Sequence, residues 1–180
     1  MRVETERLFI CLQIQEMAGA LAEYYQKNQR HLMAWEPKRG SEIYSEAYWA
    51  NQLKDAKKEY EKGSAIRFIA FNKEGSEIVC KFDFTGIQRG FFQACYLGFS
   101  VAEKYQGKGY AQESLQAGID FIFNQIGLHR IMANYMPSNK RSGQLLDRLG
   151  FQKEGVAKSY LKIAGKWEDH VLTSLVNKKH

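Results

Sequence analysis

The chain is poor in proline. Its 180 residues include only Pro37 and Pro137, and the sequence contains no internal repeat and no low-complexity segment. Linkers between domains are usually marked by such composition, so nothing here divides the chain. A chain of this length with 44% hydrophobic residues can bury one core of ordinary size. We therefore expect residues 1–180 to form a single domain.

Long apolar runs are also missing. No stretch approaches the roughly 18 consecutive apolar residues that a membrane span requires. The first residues, MRVETERLFICLQ, lack the charged-then-apolar pattern of a secretory signal. We expect a cytosolic protein with no membrane partner.

Cysteines are few and are not paired in sequence. Cys11, Cys80 and Cys95 lie in strand-like apolar segments, without a Cys-x-x-Cys pair and without histidines at ligand spacing. We expect buried thiols, with no disulfide framework and no metal site.

Positive charge is in modest excess, since 26 Lys and Arg face 20 Asp and Glu for a formal net charge of +6. This balance favours anionic partners, either a phosphorylated cofactor or RNA, and is equally consistent with a merely solubilising surface. Both interpretations stay open at this point. Nothing in the sequence indicates a DNA partner.

Hydrophobic periodicity predicts alternating helices and strands. The predicted strands cover about 7–12, 65–71, 78–84, 94–101, 131–135, 151–163 and 167–176. Two predicted helices cover about 17–29 and 45–62. A third ends at Gly127. A fourth begins with Ser138 or Asn139 as its cap and ends near Gly150. The simplest architecture for this order is a mixed sheet with helices on both faces.

The run YQGKGYA, residues 105–111, lies between a strand and an amphipathic helix. Gly107 and Gly109 would leave backbone N–H groups unobstructed at a positive helix terminus, which suits a phosphate. The order Gly-Lys-Gly-Tyr is not a Walker motif, and Gln112 stands where a dinucleotide fingerprint needs Gly or Ala. A plain strand-to-helix turn is the alternative interpretation.

Gln106-x-x-Gly109-x-Ala111 resembles the pyrophosphate loop of the GCN5-related N-acetyltransferase (GNAT) superfamily. Four further blocks are similar to RimJ-type ribosomal-protein-alanine N-acetyltransferases: AWEP, QRGFFQACYLGFSV, HRIMANYMPSNKRSG and GKWEDHVLTSL, beginning at residues 34, 88, 129 and 165. The resemblance implies an α/β (α+β) fold with a mixed, mostly antiparallel sheet, helices on both faces, and a central strand split that holds acetyl-CoA.

The resemblance also implies a cofactor site without a metal. The pantetheine of acetyl-CoA would run beside Phe99, Ser100 and Val101 as an added strand would. Its pyrophosphate would meet the N–H groups of Gln106, Gly107, Lys108, Gly109, Tyr110 and Ala111, with Lys108 adding charge. Asn139 would bond the pantetheine or cap the helix that follows, and the two roles are compatible.

The implied reaction is direct attack of an amine on the thioester. The strand at 92–101 carries no acidic residue, so we expect Glu36 or a water relay to accept the amine proton, with Trp35 and Tyr135 in the acceptor pocket. Glu36 could equally be an exposed loop residue. Leu146 replaces the tyrosine that many relatives use as general acid, and Ser142 is the candidate for that role, or a helix serine bonded to the preceding turn.

The predicted function is acetyl transfer from acetyl-CoA to the N-terminal alanine of a small-subunit ribosomal protein. The partner would be that N-terminus, free or within the assembling small subunit, in the cytoplasm. Two alternatives stay open: an acetyltransferase for a small amine such as a polyamine or amino sugar, and a non-enzymatic ribosome- or RNA-binding module.

Overall fold

A computed structural model describes residues 2–179. The strands are β1 (Arg2–Glu4), β2 (Leu8–Leu12), β3 (Ile66–Asn72), β4 (Ile78–Gln88), β5 (Ala94–Val101), β6 (Arg130–Tyr135), β7 (Gln152–Ile163) and β8 (Lys166–Val176). The α-helices are α1 (Ala18–Lys27), α2 (Gln29–Leu32), α3 (Glu46–Glu61), α4 (Tyr110–Phe121) and α5 (Lys140–Arg148).

Within residues 2–179 the eight strands form one sheet in the order β1-β2-β3-β4-β5-β6-β8-β7. Neighbours are antiparallel except β5 and β6, which run parallel. That parallel pairing covers Ala94–Tyr96 against Arg130–Met132 and then stops. Residues 97–101 pair only with β4, and residues 133–135 pair only with β8. The two central strands therefore part, which confirms the expected split in a mostly antiparallel sheet.

Each face of the sheet carries its own core. On one face α4 packs Leu115 and Ile119 against phenylalanine rings of β3 and β4. The close approach is possible because α4 has Gly118 at the contact, where an added Cβ would lie 2.5 Å from the Phe82 ring. On the other face α1 and α3 bury a cluster that includes Leu21 and Trp49. The prediction of helices on both faces is confirmed.

The boundaries of several elements differ from the sequence-based expectation. The helix expected at 17–29 is broken at Asn28, whose side chain donates to Tyr24 O (2.8 Å) and accepts from Glu103 N (2.8 Å). The helix that ends at Gly127 changes from α to π geometry over Ile122–Ile126, and Gly127 has the expected left-handed conformation (φ 71°). The strand β1 was not expected, because its three residues are too few to show a periodicity.

Within residues 2–179 no helix is long and apolar enough to cross a membrane. No group of three or more His, Cys, Asp or Glu side chains in that part of the chain could hold a metal ion. Cys80 and Cys95 are fully buried, and burial raises the pKa of each thiol to about 12. Thiols in such surroundings are poor nucleophiles.

Candidate active site

A cavity of about 950 Å³ opens where β5 and β6 part. Its walls are the end of β5, the loop after it, the first turns of α4 and α5, and α2 with the segment that follows α2. The sequence-predicted residues that line it are Trp35, Glu36, Phe99, Ser100, Val101, Gln106, Gly107, Gly109, Ala111, Asn139 and Ser142. Lys108, Tyr110 and Tyr135 do not belong to this lining. The cavity has the size expected of a small-molecule site.

The glycine loop has a conformation that only glycine adopts readily. Gly107 and Gly109 have φ values of 70° and 81°, and Gly109 is the N-cap residue of α4. The first N–H groups of a helix have no partner within the helix, and the helix dipole places partial positive charge there. The loop thus presents N–H groups and positive potential to one end of the cavity, as an anion site requires.

Lys108 and Tyr110 contact Arg7 and do not line that cavity. The carbonyl oxygen of Lys108 accepts a hydrogen bond from Arg7 Nη1 (2.9 Å), and the Tyr110 ring lies under the Arg7 guanidinium at 4.3 Å. Tyr110 also meets Tyr105 edge to face. The side chain of Tyr110 is therefore part of the support of the loop.

The sequence did not predict a series of side-chain contacts that lies along the cavity wall. Arg141 Nη1 donates to Gln106 Oε1 (2.6 Å), and Gln106 Nε2 lies 2.5 Å from His31 Nε2. The three residues come from α5, the loop and α2, and all line the cavity together with Lys140 and Arg148. The basic residues of α5 were visible in the sequence, but nothing in it indicated that His31 would lie beside them. This end of the cavity is consequently cationic.

The start of α5 is held by a side-chain cap. Asn139 Oδ1 accepts from Ser142 N (3.1 Å), so Asn139 has the capping role that its position suggested. Within residues 2–179 Ser142 Oγ makes no hydrogen bond, and Ser142 lines the cavity. Tyr135 packs closely against the same helix: a Cβ added to Gly143 would lie only 2.7 Å from the Tyr135 ring. In this position Tyr135 supports α5 and does not reach the cavity.

Glu36 lines the cavity in the segment that follows α2, here called the carboxylate end, and is largely shielded from solvent. Its side chain is 21% exposed, accepts a hydrogen bond from the Tyr25 hydroxyl (3.3 Å), and lies 3.9 Å from the Arg39 guanidinium. Burial raises the pKa of the Glu36 carboxyl, and nearby Arg39 and Lys81 offset part of this effect. The carboxylate is therefore a stronger base than a glutamate in water. Trp35 beside it is partly exposed, at 37%.

Glu36 also lines a second cavity of about 380 Å³, which shares Leu32 with the first. The tip of the β7–β8 hairpin closes this side, since Ala164 N donates to Glu36 O (3.0 Å). The segment that carries Trp35 and Glu36 is thereby fixed at both its side chain and its backbone.

The end of β5 supplies a further part of the cavity wall. Ser100 Oγ shares a hydrogen bond with the Tyr24 hydroxyl (2.9 Å), and Phe99 packs against the buried core on the other face. An acidic residue does lie beside this strand, since Asp83 on β4 is the register partner of Gly98. Its carboxylate is already paired with Lys81 and with Arg67 (3.3 Å). Within residues 2–179 the acidic residues that line the cavity are Glu36, which lies 3.9 Å from the Arg39 guanidinium, and Glu103.

Residues 12–152 match the family described as acetyltransferase (GNAT) domain. The chain is 46% identical over 174 residues to the [ribosomal protein uS5]-alanine N-acetyltransferase of Escherichia coli, with 97% of this chain and 90% of the relative covered. The crystal structure of a ribosomal-protein-S5-alanine acetyltransferase from Vibrio fischeri superposes with a TM-score of 0.95 at 36% identity, covering 99% and 97% of the two chains.

A third similar protein was solved with a ligand. Mycobacterium smegmatis RimJ, in complex with CoA-disulfide, superposes with a TM-score of 0.89 at 27% identity, covering 96% of this chain and 83% of that one. The match to the family spans most of the chain, and the split sheet with its glycine loop lies inside it. On these grounds the chain belongs to the GNAT acetyltransferases.

Proposed function

We propose that this acetyltransferase moves the acetyl group of acetyl-CoA to the N-terminal alanine of a small-subunit ribosomal protein, in the cytoplasm. The observation that carries the proposal is a single cavity with a cationic, N–H-rich end and a carboxylate end. Such a cavity suits a phosphorylated donor and an ammonium acceptor at once. The acceptor class is supported by the 46% identity to an enzyme named for the alanine of uS5.

The residues of the cationic end fit coenzyme A. Gly107 and Gly109 leave the loop open, because no Cβ blocks its N–H groups, and Gln106, Arg141 and His31 border the same space. The unpaired edge of β5 at residues 97–101 can bond an extended amide chain such as pantetheine. Acetyl-CoA would supply the thioester carbonyl that the amine attacks.

The carboxylate end fits an α-amino group. A raised pKa brings Glu36 closer to the pKa of a protein N-terminus, about 7.7–8.0, so proton transfer from the ammonium to Glu36 Oε1 or Oε2 becomes less unfavourable. The hydrogen bond from Tyr25 (3.3 Å) and the Arg39 guanidinium at 3.9 Å hold the carboxylate in place. Trp35 is positioned to contact the acceptor chain.

Ser142 is the group that we place at the departing thiol. Ser142 lines the cavity and its hydroxyl is free of hydrogen bonds within residues 2–179, so its proton is available. A thiol with a pKa near 8.5 leaves with little assistance, so the contribution of Ser142 should be modest. The bond that forms is between nitrogen and the acetyl carbon, the bond that breaks is carbon–sulfur, and Glu36 or water takes the amine proton.

Intact mass spectrometry of two peptides tests the function. One peptide begins with a free alanine, and the other is N-terminally blocked and carries an internal lysine. We expect one acetyl group on the first peptide alone. A small amine that reacts far faster than the peptide would replace the proposed acceptor, and RNA binding without any transfer would replace the enzymatic proposal altogether.

Two matched variants separate the loop from general backbone strain. Gly109→Glu puts a side chain at a positive-φ position where its Cβ would lie 3.3 Å from Arg7 Nη2, so the loop must shift, and we expect the variant to abolish transfer. Gly75→Glu introduces the same residue at a similar φ of 68° on an open turn. It should leave transfer intact, and equal loss in both variants would contradict the role of the loop.

A further inference from the structure

Arg7 and Glu113 connect the N-terminal segment to the glycine loop. Glu113, in the first turn of α4, accepts from Thr5 Oγ1 (2.6 Å), Arg7 N (2.9 Å) and Arg7 Nε (2.7 Å), and its second oxygen also lies 2.7 Å from Arg7 Nη2. Burial opposes ionisation, but these hydrogen bonds lower the pKa of Glu113. Two nitrogens of the guanidinium, Nε and Nη2, thus approach the same carboxylate oxygen, Glu113 Oε2, and this charge-assisted contact holds the guanidinium in place.

The remaining donor of Arg7 acts on the loop itself. Arg7 Nη1 bonds the carbonyl oxygen of Lys108, and the guanidinium rests on the Tyr110 ring. A Cβ on Gly109 would lie 3.3 Å from Arg7 Nη2, so a side chain at that position would crowd the guanidinium. Arg7 thus contacts the loop on the side opposite the cavity, whose lining it does not join.

The orientation of one peptide plane follows from this contact. In a trans peptide the C=O and the N–H point in opposite directions. No cis peptide bond occurs within residues 2–179, so the bond from Lys108 O to Arg7 turns the N–H of Gly109 away from Arg7. That side is the cavity, which Gly109 lines. The N–H of the N-cap residue is one of those that a helix leaves without an internal partner.

We infer that Arg7, held by Glu113, is a positioning residue for diphosphate binding: it fixes the 108–109 peptide plane so that the Gly109 N–H faces the ligand. The inference rests on the proposed use of a coenzyme A donor. It assigns a binding function to a residue that touches neither the donor nor the acceptor. Without Arg7 the peptide plane can rotate, and the loop loses a preset donor to the ligand.

The test compares two acetyl donors that differ in the diphosphate. Acetyl-CoA carries it and acetylpantetheine does not. For Arg7→Ala we expect kcat/KM for acetyl-CoA to fall about tenfold, the effect of one charge-assisted hydrogen bond. The value for acetylpantetheine should stay within about twofold of the wild type, and so should kcat at saturating acetyl-CoA. Calorimetric titration with CoA should show the same tenfold weakening without any turnover.

Two further variants and a control complete the set. Arg7→Lys keeps the charge but cannot fork between Glu113 and Lys108 O, so we expect a partial loss. Glu113→Gln keeps one acceptor oxygen and should weaken CoA by about threefold, less than Arg7→Ala. The control Lys73→Ala removes the Lys73–Glu4 pair (2.8 Å), which also ties down the N-terminal segment but does not contact the loop. This control should leave kcat/KM unchanged for both donors.

Equal loss with both donors would show that Arg7 only stabilises the fold and would overturn the inference. Unchanged CoA affinity in Arg7→Ala and Glu113→Gln would overturn it as well. Failure of the wild type to bind CoA would instead refute the proposed function, and the inference with it.

Discussion

Replacing Glu36 with glutamine separates the two roles that a shielded carboxylate can have. Glutamine has the same shape and can still accept the hydrogen bond from the Tyr25 hydroxyl (3.3 Å). The ion pair that is lost joins atoms 3.9 Å apart and involves a partly exposed arginine, so its removal costs at most about 1 kcal/mol. The substitution therefore removes a base without opening the structure.

The pKa shift determines the sign of the stability change. Burial raises the pKa of Glu36, so the folded protein holds this proton more tightly than the unfolded chain does. The favourable contribution is fully present below the unfolded-state pKa and is lost as the pH rises through the folded-state pKa. The wild type loses it as the pH rises, whereas glutamine never titrates. We expect Glu36→Gln to melt at the same temperature as the wild type, or higher.

The expected effect on activity is much larger. Loss of a positioned general base typically lowers the rate by about 10²–10⁴, and we expect the lower end because roughly a tenth of an α-amine is already neutral at pH 7. The variant should regain about tenfold between pH 7 and pH 9, as solution deprotonates the amine. The rate of peptide acetylation, monitored by the release of the CoA thiol, measures both the loss at pH 7 and the recovery at pH 9. Glu42→Gln, on an exposed turn nearby, is the matched control.

A kcat/KM within twofold of the wild type at pH 7 would refute the assignment of Glu36 as the proton acceptor and leave a water relay. A fall in activity accompanied by a fall in melting temperature would refute the assignment in a different way, since the loss would then be structural.

Three further changes have defined outcomes. Gly118→Ala should lower the free energy of unfolding by about 1–3 kcal/mol, because the added Cβ would press into a buried aromatic ring. Gly155→Ala has open space around the added Cβ and should change the free energy of unfolding little. Chemical denaturation measures both. Ser142→Ala should lower kcat by less than about tenfold, because a thiol near pKa 8.5 leaves readily, and a larger loss would give Ser142 a stronger role. Arg141→Met should raise the KM for acetyl-CoA more than Lys108→Met does, since only Arg141 lines the cavity, and the reverse order would contradict the described loop.

The sequence predicted the parts of the site that are contiguous. The glycine loop, the cap at Asn139 and the strand β5 each occupy a short stretch whose pattern is readable without knowing the rest of the fold. The loop conformation requires glycine at positive φ, so its composition alone carries the information. The strand bounds 94–101 were predicted without error, because the composition of a strand is likewise readable within a short stretch.

Residues brought in from distant segments could not be predicted. His31 meets Gln106 across 75 positions of sequence, and Arg7 meets Lys108 across 101. Alternation along a strand also fails to tell which face of the sheet is the acceptor side, so Tyr135 was expected in a pocket that it does not line. The lysine between two glycines was expected to supply charge, but its carbonyl oxygen, bonded to Arg7, is the atom that the structure ties into the support of the loop.

The chemistry of the carboxylate end favours one class of acceptor. Accepting a proton from a lysine side chain, with pKa near 10.4, is harder than from an N-terminus near 7.7–8.0 by about 2.5 pKa units, which is about 3.4 kcal/mol or a few hundredfold. Raising the pKa of Glu36 by burial helps both acceptors equally and does not close this gap. With Glu36 as the proposed proton acceptor, we therefore expect an N-terminal amine to be acetylated a few hundredfold faster than a lysine side chain at neutral pH. In the proposed mechanism, selectivity for a protein N-terminus thus begins with the lower pKa of the α-amine, before any side chain of the acceptor is recognised.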